Sequence, residues 1–470
     1  MPPTRRRIKR RRRNHENDSN TTPSDYIPLD IVDIIFTLVP LKIAVQLGIL
    51  AKRFKNIWML NRRLDFGREF ARNYTTTEYF AIVDKVLNLH VSPTIQSFTM
   101  YFDPTGYESK VKNWIKIAIS KGVEELDLDF FGTWNRHKFR LGTLNLPRVR
   151  VLKLSFCEFA FPYPLECLCL LNTLVLKNVN VTTRIIEIVI KNCKHLGTLD
   201  IVYCRTIGQI KVLAKDLKCF RTFKVGDCTS VSEIEINSPT LRSFHYVGKI
   251  PLLTFVDVFE LKDVILNFKS PQSAYVPHYR IRNALWSIAQ IHVLTATTVF
   301  LEGLTSFYFD TLRGRKGAYI LRNLVEFQLF VEGSLICNPY DIGSFIAHCP
   351  RLERIKESSL ENSVVFKEYQ KRELEKFSDV LDNLKFIYIK NFQFQPNELE
   401  LVKFFLQKAK NLETLVITTP KSPTPKVTAM SIRSYNTLLD WKASPKADIS
   451  IYHYFNEKCP IDPMHGRIWY

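Results

Sequence analysis

The stretch VEELDLDF, residues 123–130, is the first of several short segments in which apolar and polar side chains alternate. The segments that share its pattern are VRVLKLSFC (149–157), LNTLVLKNV (171–179), LGTLDIVYC (196–204), FRTFKVGDC (220–228) and LRSFHYVGK (241–249). Their fourth residues, which run from Leu126 to Phe244, are 21 to 26 residues apart. Since alternate residues of a strand face opposite sides, each segment predicts a strand that buries one apolar row against its neighbours.

This period and the LxxLxL pattern resemble those of leucine-rich repeats (LRRs). The resemblance implies a solenoid with parallel strands on its concave side, and IIEIVIKNCKHL (185–196) has the spacing of a return helix. Beyond Gly248 the rhythm becomes irregular, and IRNALWSIAQIHVLT (281–295) predicts a helix. The strand pattern resumes at LVEFQLF (324–330), LERIK (352–356), LKFIYIKNF (384–392) and LETLVIT (412–418).

The segment YIPLDIVDIIFTLVPLKIAVQLGILAKRFKNIWMLNRRLDF (26–66) predicts three short helices. Pro28 suits the first turn of a helix, and Asp30 and Asp33 favour the positive end of its dipole. Three short helices cannot bury this many large side chains among themselves, so the surplus must lie against another surface.

The same segment resembles an F-box, from Ile27-Pro28-Leu29 through Lys42 and Ala44 to Trp58, with Ala51 and Phe54 where that family usually has Ser and Trp. The resemblance implies docking to a Skp-type adaptor and, through it, to a cullin. The residues predicted to contact the adaptor are Pro28, Leu29, Ile31, Val32, Ile35, Leu38, Pro40, Leu50 and Trp58.

The C-terminal region resembles the FBD region that closes many plant F-box/LRR proteins. The matching segments are FQFQPNELELVKFFLQKAKNLETLVIT (392–418) and SPKADISIYHY (444–454). This order predicts a strand, an amphipathic helix and a final strand, which would cap the end of the solenoid. The predicted buried stripe of the helix is Val402, Phe405, Leu406 and Ala409.

The predicted fold is therefore α/β, with a three-helix F-box, an irregular LRR solenoid and an FBD-like cap. The predicted boundaries are 1–25 for a disordered basic tail, 26–66 for the F-box, 67–122 for linker helices and the entry to the repeats, 123–380 for the leucine-rich repeats, 381–455 for the FBD-like C-terminal repeats and cap, and 456–470 for a tail.

The net charge is +20, and the N-terminal tail holds a dense basic cluster. Its members are Arg5, Arg6, Arg7, Lys9, Arg10, Arg11, Arg12 and Arg13. Such a cluster predicts a nuclear import signal, with a protein found in the nucleus and also in the cytoplasm. The alternatives are a solvated tail and, ranked last, a nucleic-acid arm, because no aromatic residues are interleaved to stack on bases.

No catalytic or metal-binding motif is present: the sequence lacks GxSxG, P-loop, HExxH and CxxC patterns. We expect the ten cysteines to be reduced thiols, with no cofactor and no enzymatic activity. There is no run of eighteen apolar residues, so no membrane association is expected.

The resemblance to F-box/LRR proteins implies a non-catalytic substrate-recognition subunit of an SCF-type ubiquitin ligase, which would bring an unidentified protein substrate to the ligase. Two alternatives stay open: a nuclear LRR scaffold without ligase function, and a co-receptor that binds a small molecule together with its substrate.

Substrate would contact the polar residues beside the inward-facing leucines. The candidates are Glu125, Asp127, Asp129, Lys153, Ser155, Lys177, Asp200, Lys224 and His245. Their charges change from acidic at 125–129 to basic at 153–177, which predicts a partner with a matching charge gradient.

Overall fold

The computed structural model describes residues 31, 39, 41–50, 56–131, 139–160, 168–269, 278–304, 321–330, 342–343, 345–346, 348–358 and 381–453. The chain divides into unit 1 (residues 1–100 and 114–123) and unit 2 (residues 101–113 and 124–470). Of the three helices predicted between residues 26 and 66, the second is α1 (Leu41–Leu50) and part of the third is a 3-10 turn (Ile57–Leu60). The first lies almost entirely outside the described residues.

Unit 1 contains a pair of parallel strands together with short helices. Its elements after α1 are β1 (Arg63–Phe66), α2 (Arg68–Ala71), α3 (Thr76–Leu89), β2 (Ser97–Tyr101) and the second half of α4 (Glu108–Ser120). Helix α3 begins at a capping box in which the side chains of Thr75 and Glu78 each accept the other residue's backbone N–H. The fully buried Trp114 lies against Phe80, and its indole N–H donates to Asp84 Oδ1 at 2.6 Å.

Unit 2 is built on one parallel sheet, the main sheet, whose strands follow one another in chain order. They are β3 (Glu125–Asp129), β5 (Val151–Ser155), β7 (Thr173–Lys177), β8 (Thr198–Val202), β10 (Thr222–Gly226), β12 (Ser243–Gly248), β14 (Asp263–Phe268), β15 (Val293–Thr297), β16 (Glu326–Phe330), β17 (Arg354–Ser358), β18 (Phe386–Lys390), β19 (Thr414–Thr418) and β20 (Asp448–Tyr452). The second residues, such as Leu126, Leu199 and Leu415, are in register across the sheet and fully buried.

The return segments between these strands are helices in some repeats and strands in others. The helices are α5 (Thr183–Asn192), α6 (His278–Ser287), α7 (Thr298–Gly303), α8 (Pro396–Lys408) and α9 (Pro425–Trp441). The return strands form a parallel trio, β9 (Gln209–Leu213), β11 (Glu233–Asn237) and β13 (Leu252–Val256), and a pair, β4 (Phe139–Thr143) and β6 (Cys157–Ala160). Short alternating sequences such as QIKVL and EIEIN favour a strand because they bury every second residue.

The chain turns sharply just after each of several strands, through one residue with positive φ. Asn178, Tyr203 and Asp227 adopt this left-handed conformation. Each donates its backbone N–H to a carbonyl oxygen near the end of the following main-sheet strand, at 2.7–2.8 Å. One residue further on, the thiols of Cys204 and Cys228 donate to strand carbonyl oxygens at 3.4–3.6 Å. These cysteines occupy the Asn/Cys position of the LRR pattern LxxLxLxxN/C.

The structure confirms most of the predicted elements and corrects one. The return helix at 185–196 is α5, and the resumed strand patterns form β16, β17, β18 and β19. The helix predicted over 281–295 is wrong in its second half, because it ends at Ser287 and Val293–Thr297 forms β15. Alternating Val293, Thr295 and Thr297 are β-branched, which favours an extended chain.

Candidate functional site

The main sheet has a core face and an opposite face, which we call the outward face. The outward face is formed by the first, third and fifth residues of each strand, and its middle row consists of the third residues. In register from β3 to β12, the middle row is Asp127, Lys153, Val175, Asp200, Lys224 and His245. From β15 to β19 it is Thr295, Gln328, Lys356, Tyr388 and Val416.

These two parts of the outward face differ in accessibility. We call the outward face from β3 to β12 the open half. Its middle-row side chains are exposed or half-buried. We call the outward face from β15 to β19 the covered half. Every one of its middle-row residues is buried. Access for a partner is therefore concentrated in the open half.

The nine residues predicted to bind substrate all lie on the outward face of the open half. They are Glu125, Asp127, Asp129, Lys153, Ser155, Lys177, Asp200, Lys224 and His245. Ser155 is an exception to the predicted exposure, because it is buried at the end of β5. The structure places the other eight where a partner could touch them, and their role in binding stays a prediction.

The charges of the open half form pairs across neighbouring strands. Lys153 Nζ lies 3.5 Å from Asp127 Oδ2, and Lys224 Nζ lies 3.9 Å from Asp200 Oδ2. Opposite charges therefore alternate along the middle row. The predicted acidic stretch at 125–129 and basic stretch at 153–177 contact each other through Asp127 and Lys153. A partner meets locally neutral pairs rather than one long charge gradient.

Asp200 has the most unusual environment among these residues. Its side chain is only 19% exposed, and burial raises the pKa of its carboxyl to about 6, against the opposing effect of Lys224 and Lys153. Its buried Oδ1 accepts no hydrogen bond from the described residues. A buried carboxylate oxygen without a donor is destabilising, and such groups often belong to functional sites.

Where the open half meets β14, a serine, a histidine and an aspartate are in contact. Ser243 Oγ donates to Asp263 Oδ2 at 2.7 Å and lies 2.8 Å from His245 Nε2. Asp263 Oδ2 is also 3.5 Å from His245 Nε2. In a hydrolase triad the carboxylate instead holds the other ring nitrogen and leaves the hydroxyl to the histidine. The trio therefore links β12 to β14 and has a different geometry from that triad.

The covered half contains a buried polar network that the sequence alone did not reveal. Lys356 Nζ donates to Glu326 Oε1 at 3.1 Å, and the two side chains are 5% and 6% exposed. Gln328 donates to Glu326 at 2.5 Å and accepts from Thr295 at 3.2 Å. Beyond this network, Phe386, Tyr388, Val416 and Tyr452 pack as an apolar cluster.

In unit 1, the predicted adaptor-binding segment is described only in part. Ile31 and, on α1, Ile43 and Val45 are exposed aliphatic residues, whereas Leu41 and Ala44 are buried. Trp58 is half-buried, and Leu50 ends α1. Pro28, Leu29, Val32, Ile35, Leu38 and Pro40, and the basic cluster Arg5–Arg13, lie outside the described residues.

A family model described as the At1g61320/AtMIF1 LRR domain matches residues 82–462 of this chain. The chain belongs to this family. In Arabidopsis thaliana, the putative FBD-associated F-box protein At1g61330 is 28% identical over 84% of this chain and 90% of its own length. FBD-associated F-box protein At1g61320 is 27% identical over 85% of this chain and 89% of its own length. FBD-associated F-box protein At5g38590 is 31% identical over 40% of this chain and 46% of its own length.

The match to the At1g61320/AtMIF1 LRR family begins inside α3 and includes both halves of the outward face. The predicted resemblance to plant F-box/FBD/LRR proteins is thus confirmed. Within the described ranges, His, Cys, Asp and Glu side chains form no group of three that could hold a metal ion. None of the helices in the described part of the chain has the length and hydrophobicity needed to cross a bilayer.

Proposed function

We propose that this protein is the substrate-recognition subunit of an SCF-type ubiquitin ligase. The observation that carries the proposal is the membership of the LRR family together with relatives named F-box proteins. The exposed Ile31, Ile43 and Val45 support it, since they lie in the segment with the F-box pattern. The protein would act by proximity: the adaptor and cullin bind through the F-box, and the open half holds the substrate for ubiquitination and degradation.

Co-purification with a Skp-type adaptor tests the first half of this proposal. We expect Leu29→Asp to abolish co-purification, because it places a charge in an apolar docking surface. Leu213→Asp is the matched control, since Leu213 is an exposed leucine on β9 of unit 2. Adaptor recovery at the wild-type level with Leu29→Asp would overturn the F-box assignment.

We further propose that the basic cluster Arg5–Arg13 directs nuclear import, since it places eight basic residues within nine positions. A fluorescent fusion that lacks residues 1–14 should redistribute from the nucleus to the cytoplasm. A fusion with the same eight residues changed to glutamine controls for the loss of length. Nuclear retention of both fusions would show that the cluster is not the import signal.

The alternatives differ from this proposal in what they bind. A nuclear LRR scaffold would keep the open half as its binding site but would not co-purify with the adaptor. A small-molecule co-receptor would need a ligand for substrate recovery, and the net charge of +20 suits an anionic ligand.

A further inference from the structure

A row of positive charges lies along the edge of the main sheet at which its middle strands begin. Arg221, Arg242 and Lys262 are the residues directly before β10, β12 and β14. Their backbones form a continuous row, because Lys262 N–H donates to the Arg242 carbonyl and Arg242 N–H donates to the Arg221 carbonyl, both at 2.9 Å. Neighbouring strands lie about 4.8 Å apart, so the row spans roughly 10 Å. We call these three residues the basic edge.

The basic edge carries more positive charge than its neighbouring carboxylate neutralises. Arg242 Nε donates to Glu260 Oε2 at 2.9 Å, and Arg221 Nη1 lies 3.9 Å from the same oxygen. The hydrogen bond from Arg242, together with the charges of all three cations, lowers the pKa of the Glu260 carboxyl. Three cations therefore act on one carboxylate. Arg242 and Lys262 are exposed, so a second anion can reach them from solvent.

An exposed aromatic side chain adjoins these charges. Phe259, the residue before Glu260, is 76% exposed, which is more than any other large hydrophobic side chain in the described part of the chain. It lies in the turn that leads into β14, between the buried Val258 and Leu261. One exposed phenylalanine means little by itself. Beside a row of cations, however, it offers a partner an apolar contact next to ionic ones.

We propose that the basic edge binds an acidic segment of the protein substrate that carries an apolar residue among its carboxylates. The carboxylates would pair with Arg242 and Lys262, and the apolar side chain would pack on Phe259. An extended chain rises about 3.3 Å per residue, so three residues of the segment cover the row. This inference rests on the proposed function, because it names the kind of substrate that the repeats hold. None of the nine residues predicted to bind substrate belongs to the basic edge.

The surroundings of the basic edge favour an acidic peptide over single-stranded nucleic acid. Proteins that bind single strands without sequence preference stack successive bases on several aromatic side chains. In the turns that lead into β10, β12 and β14 (217–221, 238–242 and 258–262), Phe259 is the one exposed Phe, Tyr or Trp. One ring can stack on one base, whereas a peptide with one apolar residue needs one apolar contact.

The test is fluorescence anisotropy with the purified full chain and a labelled peptide of glutamates with one central leucine. We expect binding that weakens as salt is added, because the contacts are ionic. The peptide with its glutamates changed to glutamine should bind about tenfold more weakly or worse, and the peptide with its leucine changed to serine about threefold more weakly. A labelled oligothymidylate of matched length is the nucleic-acid probe and should bind more weakly than the acidic peptide.

Three variants locate the contact on the chain. Arg242→Glu combined with Lys262→Glu should weaken binding of the acidic peptide about tenfold or more, because the charges then repel. Phe259→Ser should weaken it about threefold, through loss of the apolar contact. Glu260→Gln should strengthen it about twofold to fivefold, because it removes the carboxylate that competes for the same cations.

Matched controls come from α9 and the loop before it. Lys421→Glu combined with Arg433→Glu reverses two exposed cations, and Tyr435→Ser removes an exposed aromatic ring. Both controls should bind the acidic peptide within about twofold of wild type, because they are outside the main sheet and their charges are screened.

Any of five results would overturn the proposal. They are no binding of the acidic peptide, equal binding of its glutamine form, tighter binding of the oligothymidylate, weaker binding by Glu260→Gln, and an arginine–lysine double variant that binds as well as its control. Adaptor co-purification is scored separately, so failure of the ligase proposal is distinguishable from failure of the basic edge.

Discussion

The open and covered halves of the main sheet share one core pattern and differ in what faces outward. In β3 and β7 the outward residues are half-buried and the core residues buried, as expected for a strand with one wet face. In β15 every residue is buried, and in β16 and β18 all but the last residue are buried. The same repeat pattern thus forms strands that are buried on one face in the open half and strands that are buried on both faces in the covered half.

This difference shows that the repeat fold depends on the core residues, which both halves share. The accessibility of the outward face varies independently of them. A charged group that is buried is costly unless it is paired, as Glu326 and Lys356 are in the covered half. A strand with an accessible face can carry a carboxylate such as Asp200 that lacks a donor. The loss of a charged partner should therefore cost more stability in the covered half than in the open half.

The largest effect is expected on the core face, which both halves share. Leu199→Asp would bury an unpaired charge at a site with no solvent exposure, so we expect a loss of about 4 kcal/mol or more in the free energy of unfolding. Thr198→Asp, one residue away on the outward face, should cost less than about 1 kcal/mol. Urea denaturation of both variants makes the measurement. Equal transition midpoints would show that the two faces do not differ.

In the covered half, Lys356→Met should cost about 2–3 kcal/mol, because it removes the buried ammonium partner of Glu326. The carboxylate then keeps only Gln328 and the more exposed Arg354 as partners. In the open half, Lys153→Met removes an ion pair whose lysine is 46% exposed, and should cost less than about 1 kcal/mol. Thermal unfolding of the two variants compares the halves directly. A larger loss for Lys153→Met would reverse our assignment of the covered region.

An effect of the opposite sign is expected for Asp200→Asn. The pKa of Asp200 is raised to about 6 in the folded protein, so the ionised carboxylate destabilises the fold at pH 7. The stability gained from protonation is fully present below about pH 4 and is lost as the pH rises through about 6. Asp200→Asn should therefore stabilise the protein by about 1–3 kcal/mol at pH 7 and by little at pH 4. A variant less stable than wild type at pH 7 would contradict this environment for Asp200.

The sequence predicts the core face far better than the outward face. The burial of Leu126, Leu152 and Leu199 follows from their spacing alone, because successive side chains of a strand point to opposite faces. Thr295, Gln328 and Lys356, in contrast, have the composition of a solvated face. Their burial depends on tertiary packing, which no local pattern encodes.

The site around Asp200 was predicted in part. Its position on the outward face follows from the LxxLxL pattern, whereas its missing donor does not. Its contact with Lys224 was not predicted either, because that contact depends on the register between β8 and β10.

The thiols of Cys204 and Cys228 have a consequence for redox chemistry. Both are buried, and the contact with Cys204 together with burial strongly raises the pKa of the Cys228 thiol. Burial likewise raises the pKa of the Cys349 thiol. Because the thiolate is the form that reacts with peroxide and alkylating agents, we expect Cys228 and Cys349 to react slowly in the folded protein. Among the described cysteines, an oxidant would first meet the exposed Cys169 and Cys219 on the surface of unit 2.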